Sequence, residues 1–186
     1  MGGFIVIEGL DGVGKTTAVN VLASCFAGRA MSTPGPALGD HRQALLTAFA
    51  EDELAKALFY AASVSCAGRH ARQLAEAGGW VFMDRYWAST LAYAKARGVT
   101  ANLEALGTSL VQPDLTVLLL LAEPERQRRL RARGATPEDN QTLAPGFRAA
   151  VLEVLQAQAS LAIDITGLAP DEVTAQVSTA IRESGL

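Results

Sequence analysis

The residues GFIVIEGLDGVGKTT, Gly3 to Thr17, constrain this chain more than any other stretch. A continuous apolar run, Gly3–Gly9, reads as a strand covered on both faces. It leads at once into GLDGVGKT, Gly9 to Thr16, which fits G-x-x-x-x-G-K-[ST] at every fixed position. Helical spacing resumes over Thr16–Phe26. Strand, glycine turn and helix form the context in which this motif holds phosphate. The glycines let successive N–H groups converge on phosphate oxygens, and the helix dipole adds its positive end. Lys15 then reaches the β- and γ-phosphates, and the Thr16 hydroxyl can ligate Mg²⁺. The stretch predicts binding of a nucleoside triphosphate, ATP with Mg²⁺.

The rest of the chain repeats the alternation. Strands are expected at Gly28–Thr33, Trp80–Asp84, Asp114–Ala122 and Leu161–Thr166. Helices are expected over 37–49, 51–77, 88–97, 125–133, 147–160 and 171–182. GATPEDNQTLAPG, from Gly134, reads as a mobile polar loop. Alternating elements argue an α/β fold with a parallel sheet, whose ligands sit at the carboxyl ends of the strands. The 186 residues suit a single domain, 1–186.

Composition excludes several classes. Net charge is −3, so no basic field draws nucleic acid or anionic lipid. No apolar run is long enough to span a bilayer, and MGGFIVIEG shows no signal peptide. Cys25 and Cys66 fit no metal or redox spacing and are expected as reduced, mostly buried thiols of a cytoplasmic protein.

A second signal is MDRYWASTLAY, Met83 to Tyr93, which sets Asp84 and Arg85 at the end of a buried strand. Asp84 there can hold Mg²⁺ through water, and Arg85 can bridge donor and acceptor phosphates. Asp11, inside the phosphate loop, would repel phosphates unless aimed elsewhere. Glu8 ends the same strand. Both also read as capping or solvated carboxylates.

GLDGVGKTT, DRYWASTLAY, PDLTVLLL, RARG and IDIT…PDEV resemble, in order and spacing, segments of the bacterial thymidylate (dTMP) kinases from Phe4 to about Arg182. The resemblance implies a P-loop NTPase fold, with a five-stranded parallel sheet and helices on both faces. It also implies a homodimer, a lid at about residues 134–146, and transfer of the ATP γ-phosphoryl to a nucleoside monophosphate. Gly9, Gly12, Val13, Gly14, Lys15, Thr16 and Thr17 would take the ATP phosphates, with Thr16 and Asp84 toward the metal. Asp11 would face the acceptor sugar hydroxyl and Arg85 the acceptor phosphate. Phe59 falls on the aromatic that stacks on the acceptor base, and Ser63, Ser89, Thr90 and Tyr93 fall around the same pocket. Of the arginines before Gly134, Arg129 and Arg133 are the candidates to close over phosphate. Arg126 and Arg128 read better as a solvated or Glu-paired face.

The acceptor pocket departs from the family pattern. A base-reading arginine is replaced by Ser63 and a glutamine by Ala94. MSTPGP stands where relatives have T-R-E-P-G-G, so the arginine and glutamate become Ser32 and Thr33, and the second glycine Pro36. His41 and Arg42 can supply replacement charge from the next helix. Three readings follow. One is a thymidylate-kinase-like enzyme acting on dTMP or a related nucleotide. Another is a nucleoside or other small-molecule kinase on the same scaffold. The third is a nucleotide-binding regulatory protein without kinase activity.

Overall fold

The computed structural model describes residues 2–186, and the side chains of all of these except Pro137 and Glu138. Five strands form one all-parallel sheet: β1 (Gly3–Glu8), β2 (Arg29–Ser32), β3 (Trp80–Asp84), β4 (Leu115–Leu120) and β5 (Leu161–Asp164), in the order β2-β3-β1-β4-β5. The central strand shows why its sequence is apolar from Gly3 to Ile7, ahead of Glu8. Ile5 and Ile7 enter one buried cluster, while Phe4 and Val6 enter another. Successive side chains of a strand point to opposite faces, so burial on both keeps Phe4–Ile7 apolar.

Helices cover both faces. On the Ile5 side, α1 (Lys15–Cys25), α8 (Pro145–Gln158) and α9 (Pro170–Glu183) contribute Leu22, Leu155 and Val177 to the core. On the Phe4 side, α3 (Glu53–Glu76) contributes Ala57, Ala61, Val64, Ala71 and Ala75. This stripe is small, so α3 approaches closely. Gly68 lies in it, and a Cβ there would fall 1.8 Å from the Tyr86 hydroxyl oxygen. The helix α4 (Trp87–Ala96) packs against both α3 and α8.

The remaining helices are α2 (Pro36–Phe49), α5 (Leu103–Gly107), α6 (Glu123–Arg133) and α7 (Pro137–Leu143). The expected loop after Gly134 therefore contains a helix. Its start is a capping box: Thr136 accepts from Asp139 N–H, and the Asp139 carboxylate accepts from Thr136 N–H. The cysteine expectation is also corrected. Cys25 and Cys66 are both exposed, because each falls on the outward side of its helix. Among the described residues no helix is long and apolar enough to cross a membrane.

Candidate active site

The carboxyl ends of β1, β2 and β3 meet at one edge of the sheet, with Ile7 beside Asp84 and Ser32 beside Asp84 in register. The turn after β1 must be tight. Gly9 has φ 149°, and a Cβ there would lie 2.8 Å from the Leu119 carbonyl oxygen. Gly12 has φ 89° and lies against Leu130 of α6. Only glycine takes these conformations freely. Val13 turns its side chain into the core and contributes backbone alone. Gly14, Lys15, Thr16 and Thr17 line a cleft of about 420 Å³ together with Asp84 and Arg129.

Inside that cleft Lys15 is buried and donates to the Leu10 carbonyl at 2.9 Å. Burial, and then the nearby Arg85 charge, lower its pKa to about 8. Thr16 Oγ1 donates to Asp84 Oδ2 at 2.5 Å. The other Asp84 oxygen, Oδ1, is buried without a hydrogen-bond partner. A hydroxyl beside a carboxylate oxygen short of a partner fits one face of a hydrated Mg²⁺ ion, which completes its shell with water and substrate phosphate. Among the described residues no group of three or more His, Cys, Asp or Glu could hold a metal alone.

A second cleft, about 560 Å³, lies between α3 and α4. Asp11, Thr33, Arg85 and Arg133 line both clefts, so the two join at these residues. Arg85 is the centre of the junction. Its φ is 65°, a left-handed conformation that costs a non-glycine residue about 1–3 kcal/mol. The surroundings fix it: Arg85 N–H donates to the Ile7 carbonyl, and its own carbonyl accepts from Thr33 Oγ1 at 2.9 Å. The guanidinium donates to Asp11 Oδ1 at 2.5 Å and Ser89 Oγ at 2.9 Å, and lies over the Tyr93 ring. Burial opposes ionisation of Asp11, but Arg85 and Lys15 outweigh it and hold the carboxyl well below the usual carboxylate range. Burial pushes the Tyr93 hydroxyl up to about 12, so it stays a donor, toward Asp11 Oδ2 at 3.3 Å.

Glu8 is fully buried and faces neither cleft. Its carboxylate accepts from Tyr86 N–H, Ser89 N–H and Ser89 Oγ, so it caps α4 from a neighbouring strand. The capping alternative holds for Glu8.

A family model described as thymidylate kinase matches residues 7–177. The chain belongs to the thymidylate kinase family. A thymidylate kinase of Synechococcus sp. (strain RCC307) is 33% identical over 213 aligned positions, covering 98% of this chain and 96% of the relative. One from Chromohalobacter salexigens is 32% identical over 177, covering 87% and 84%. Among solved structures, thymidylate kinase from Candida albicans superposes with TM-score 0.75 at 22% identity, covering 99% of this chain and 92% of that one. That of Ehrlichia chaffeensis gives 0.68 at 22%, covering 97% and 98%. The fold is thus the P-loop NTPase fold of thymidylate kinases, and the activity class is ATP-dependent nucleoside monophosphate phosphotransfer.

Within this thymidylate kinase fold the acceptor-side residues divide. Asp11, Arg85, Ser89, Thr90 and Tyr93 line the second cleft, as does the turn residue pair Thr33-Pro34, whose peptide is cis. Phe59 and Ser63 do not line it. Phe59 packs toward Phe49 of α2, and Ser63 is buried, its hydroxyl donating back to the Tyr60 carbonyl. Tyr60, one residue on from Phe59, is the α3 aromatic in the cleft, with Arg42 Nε donating to its hydroxyl at 2.9 Å. His41 is exposed and outside it.

The lid-side arginines also divide. Arg129 reaches the phosphate loop, donating to the Val13 carbonyl at 3.2 Å while paired with Glu125. Arg133 lines both clefts, held by Asp139 at 2.7 Å. Arg128 is exposed beside Glu125. Arg126 is not on a solvated face: it is fully buried, bonded twice to Glu123, to the Asp11 carbonyl and to Thr142. Arg97 and Glu53 lie outside the expected set of site residues, yet both line the second cleft. Neither carries a local motif; only the packing of α3 on α4 brings them together.

Proposed function

We propose that the 420 Å³ cleft takes the triphosphate of ATP and the 560 Å³ cleft takes dTMP or a related nucleoside monophosphate, with phosphoryl transfer where they join. The observation that carries this is Arg85, which lines both clefts and whose guanidinium is held by Asp11 and Ser89. A phosphate acceptor is already a nucleophile, so positioning and charge neutralisation supply the catalysis. Gly9, Gly12, Val13, Gly14 and Thr17 shape and line the donor loop, and Lys15 exchanges the Leu10 carbonyl for phosphate oxygen. Thr16 and Asp84 would hold Mg²⁺, which neutralises charge on the triphosphate when bound. Arg85 exchanges Asp11 for the acceptor phosphate, leaving Asp11 toward the sugar hydroxyl. Arg129 and Arg133 approach the phosphates from α6. Tyr60 takes the stacking role expected of Phe59, since a flat ring against a base gains area and quadrupole contact.

The reading includes a single domain over 1–186, a lid of about residues 134–146 built on α7, a homodimer, and a cytoplasmic setting. The experiment is ADP release from ATP and Mg²⁺ with a panel of nucleosides and nucleoside monophosphates. Diphosphate product from dTMP is the expected result, and Lys15→Ala should abolish it. Turnover of nucleosides alone would transfer the reading to the nucleoside kinase alternative.

A further inference from the structure

The second cleft has two ends. Ser89, Thr90, Tyr93, Ala94 and Arg97 follow one another along it. The rise from Ser89 to Arg97 spans about 12 Å of helix. Arg85 and Asp11 mark the end nearest the phosphate loop. At the far end Arg97 faces Glu53 of α3, Nε to Oε2 at 3.7 Å, an ion pair too long for a hydrogen bond. Each partner is incompletely satisfied. Glu53 Oε1 accepts from Lys56 Nζ at 2.7 Å, while Oε2 is buried without a hydrogen bond. Arg97 spends Nε and Nη2 on the lid residue Gln141, at 3.2 and 2.7 Å, and lies over the Tyr93 ring. Among the described residues its Nη1 makes no hydrogen bond. An acceptor short of a donor thus stands beside a guanidinium that lines the same cleft.

We infer that Glu53 and Arg97 read the acceptor base, in place of the missing side chains at Ser63 and Ala94; the inference rests on the kinase reading of this cleft. The pair fits an edge that offers an N–H beside a carbonyl oxygen. Thymine and uracil offer N3–H beside O4, and guanine offers N1–H beside O6. A small rotation of the Glu53 carboxylate into the cleft meets the N–H, and the guanidinium meets the carbonyl. Cytosine and adenine offer the reverse, a bare ring nitrogen beside an amino group. That sets acceptor against carboxylate and donor against guanidinium, and buried mismatches of this kind discriminate strongly. The acceptor class is therefore the oxo-base nucleoside monophosphates, with amino-base ones excluded.

The test is kcat/KM of the full chain, with ATP and Mg²⁺, for dTMP, dGMP, dCMP and dAMP. The wild type is expected to favour dTMP over dCMP by at least about tenfold. Glu53→Gln can donate to a bare ring nitrogen, so it should cut the dTMP-to-dCMP ratio by about tenfold or more. Arg97→Met should raise KM for dTMP by about tenfold with little change in kcat. Gln141→Ala removes the lid's hold on Arg97 but not the base contact, and should leave the ratio in place. Circular dichroism checks that each variant is folded. A wild type that uses dTMP and dCMP equally overturns the inference. So does a ratio unmoved in Glu53→Gln, or one moved as far by Gln141→Ala as by Arg97→Met. A wild type that phosphorylates no monophosphate fails one step earlier and removes the kinase reading itself.

Discussion

Lys15 and Asp11 sit four residues apart, and their environments act on them differently. Asp11 has a folded pKa below its unfolded value of 3.8, so its stabilising effect is present above that pH and is lost only as the pH falls through the lower folded value. Lys15 has its pKa lowered from 10.5 to about 8, so the unfolded chain holds more protons between those values. Stability of the ATP-free protein should therefore rise with pH across that window. Phosphate favours the charged amine, so ATP binding should take up a proton above pH 8 and weaken roughly fivefold from pH 8 to 9. Calorimetric titration in two buffers of different ionisation enthalpy measures both effects, and a pH-independent affinity would remove the assignment. The motif residues were legible in the sequence because their chemistry is local: glycines, lysine and threonine at fixed spacing. That Tyr60 and not Phe59 lines the second cleft was not, because one residue is about 100° of helix and only the packing of α3 sets its phase.

Arg126 joins three elements. Its guanidinium ties α6 to the Asp11 carbonyl of the phosphate loop and to Thr142 of α7. Charged residues are almost never buried unless paired, and here Glu123 supplies the pairing. Arg126→Met strips the Asp11 and Thr142 carbonyls of a charged donor, at about 1–3 kcal/mol each. Arg126→Met should thus lower Tm by about 10 °C or more in a thermal melt; an unchanged Tm would mean the clamp bears little of the stability. Helix and strand boundaries agreed with the sequence to within about two residues for most elements, as periodicity and glycine stops would have it. The helix α7 escaped because its polar residues suggested a loop, although T-P-E-D, Thr136 to Asp139, spells a capped start. The short α5 carries the same kind of signal in Asn102, whose side chain accepts from Ala105 N–H.

The order β2-β3-β1-β4-β5 brings three strand ends together although their residues lie far apart in the chain. The parallel sheet and its five strands were legible from alternation alone, whereas the strand order and the joined clefts were not. The homodimer expectation is checked by sedimentation, which should give twice the 19.5 kDa chain mass at micromolar concentration; a single-chain mass throughout would discard it. The helices α1 and α4 follow the two neighbouring strands β1 and β3 at this edge, and each start is a natural seat for an anion. The α1 seat is open. The α4 seat is filled by Glu8, whose carboxylate takes the two N–H groups and the hydroxyl that a second phosphate would need. The chain thus carries its own permanent occupant at one of two similar addresses. On the proposed reading a triphosphate arriving at the sheet edge is therefore turned away from the start of α4 and received at the start of α1.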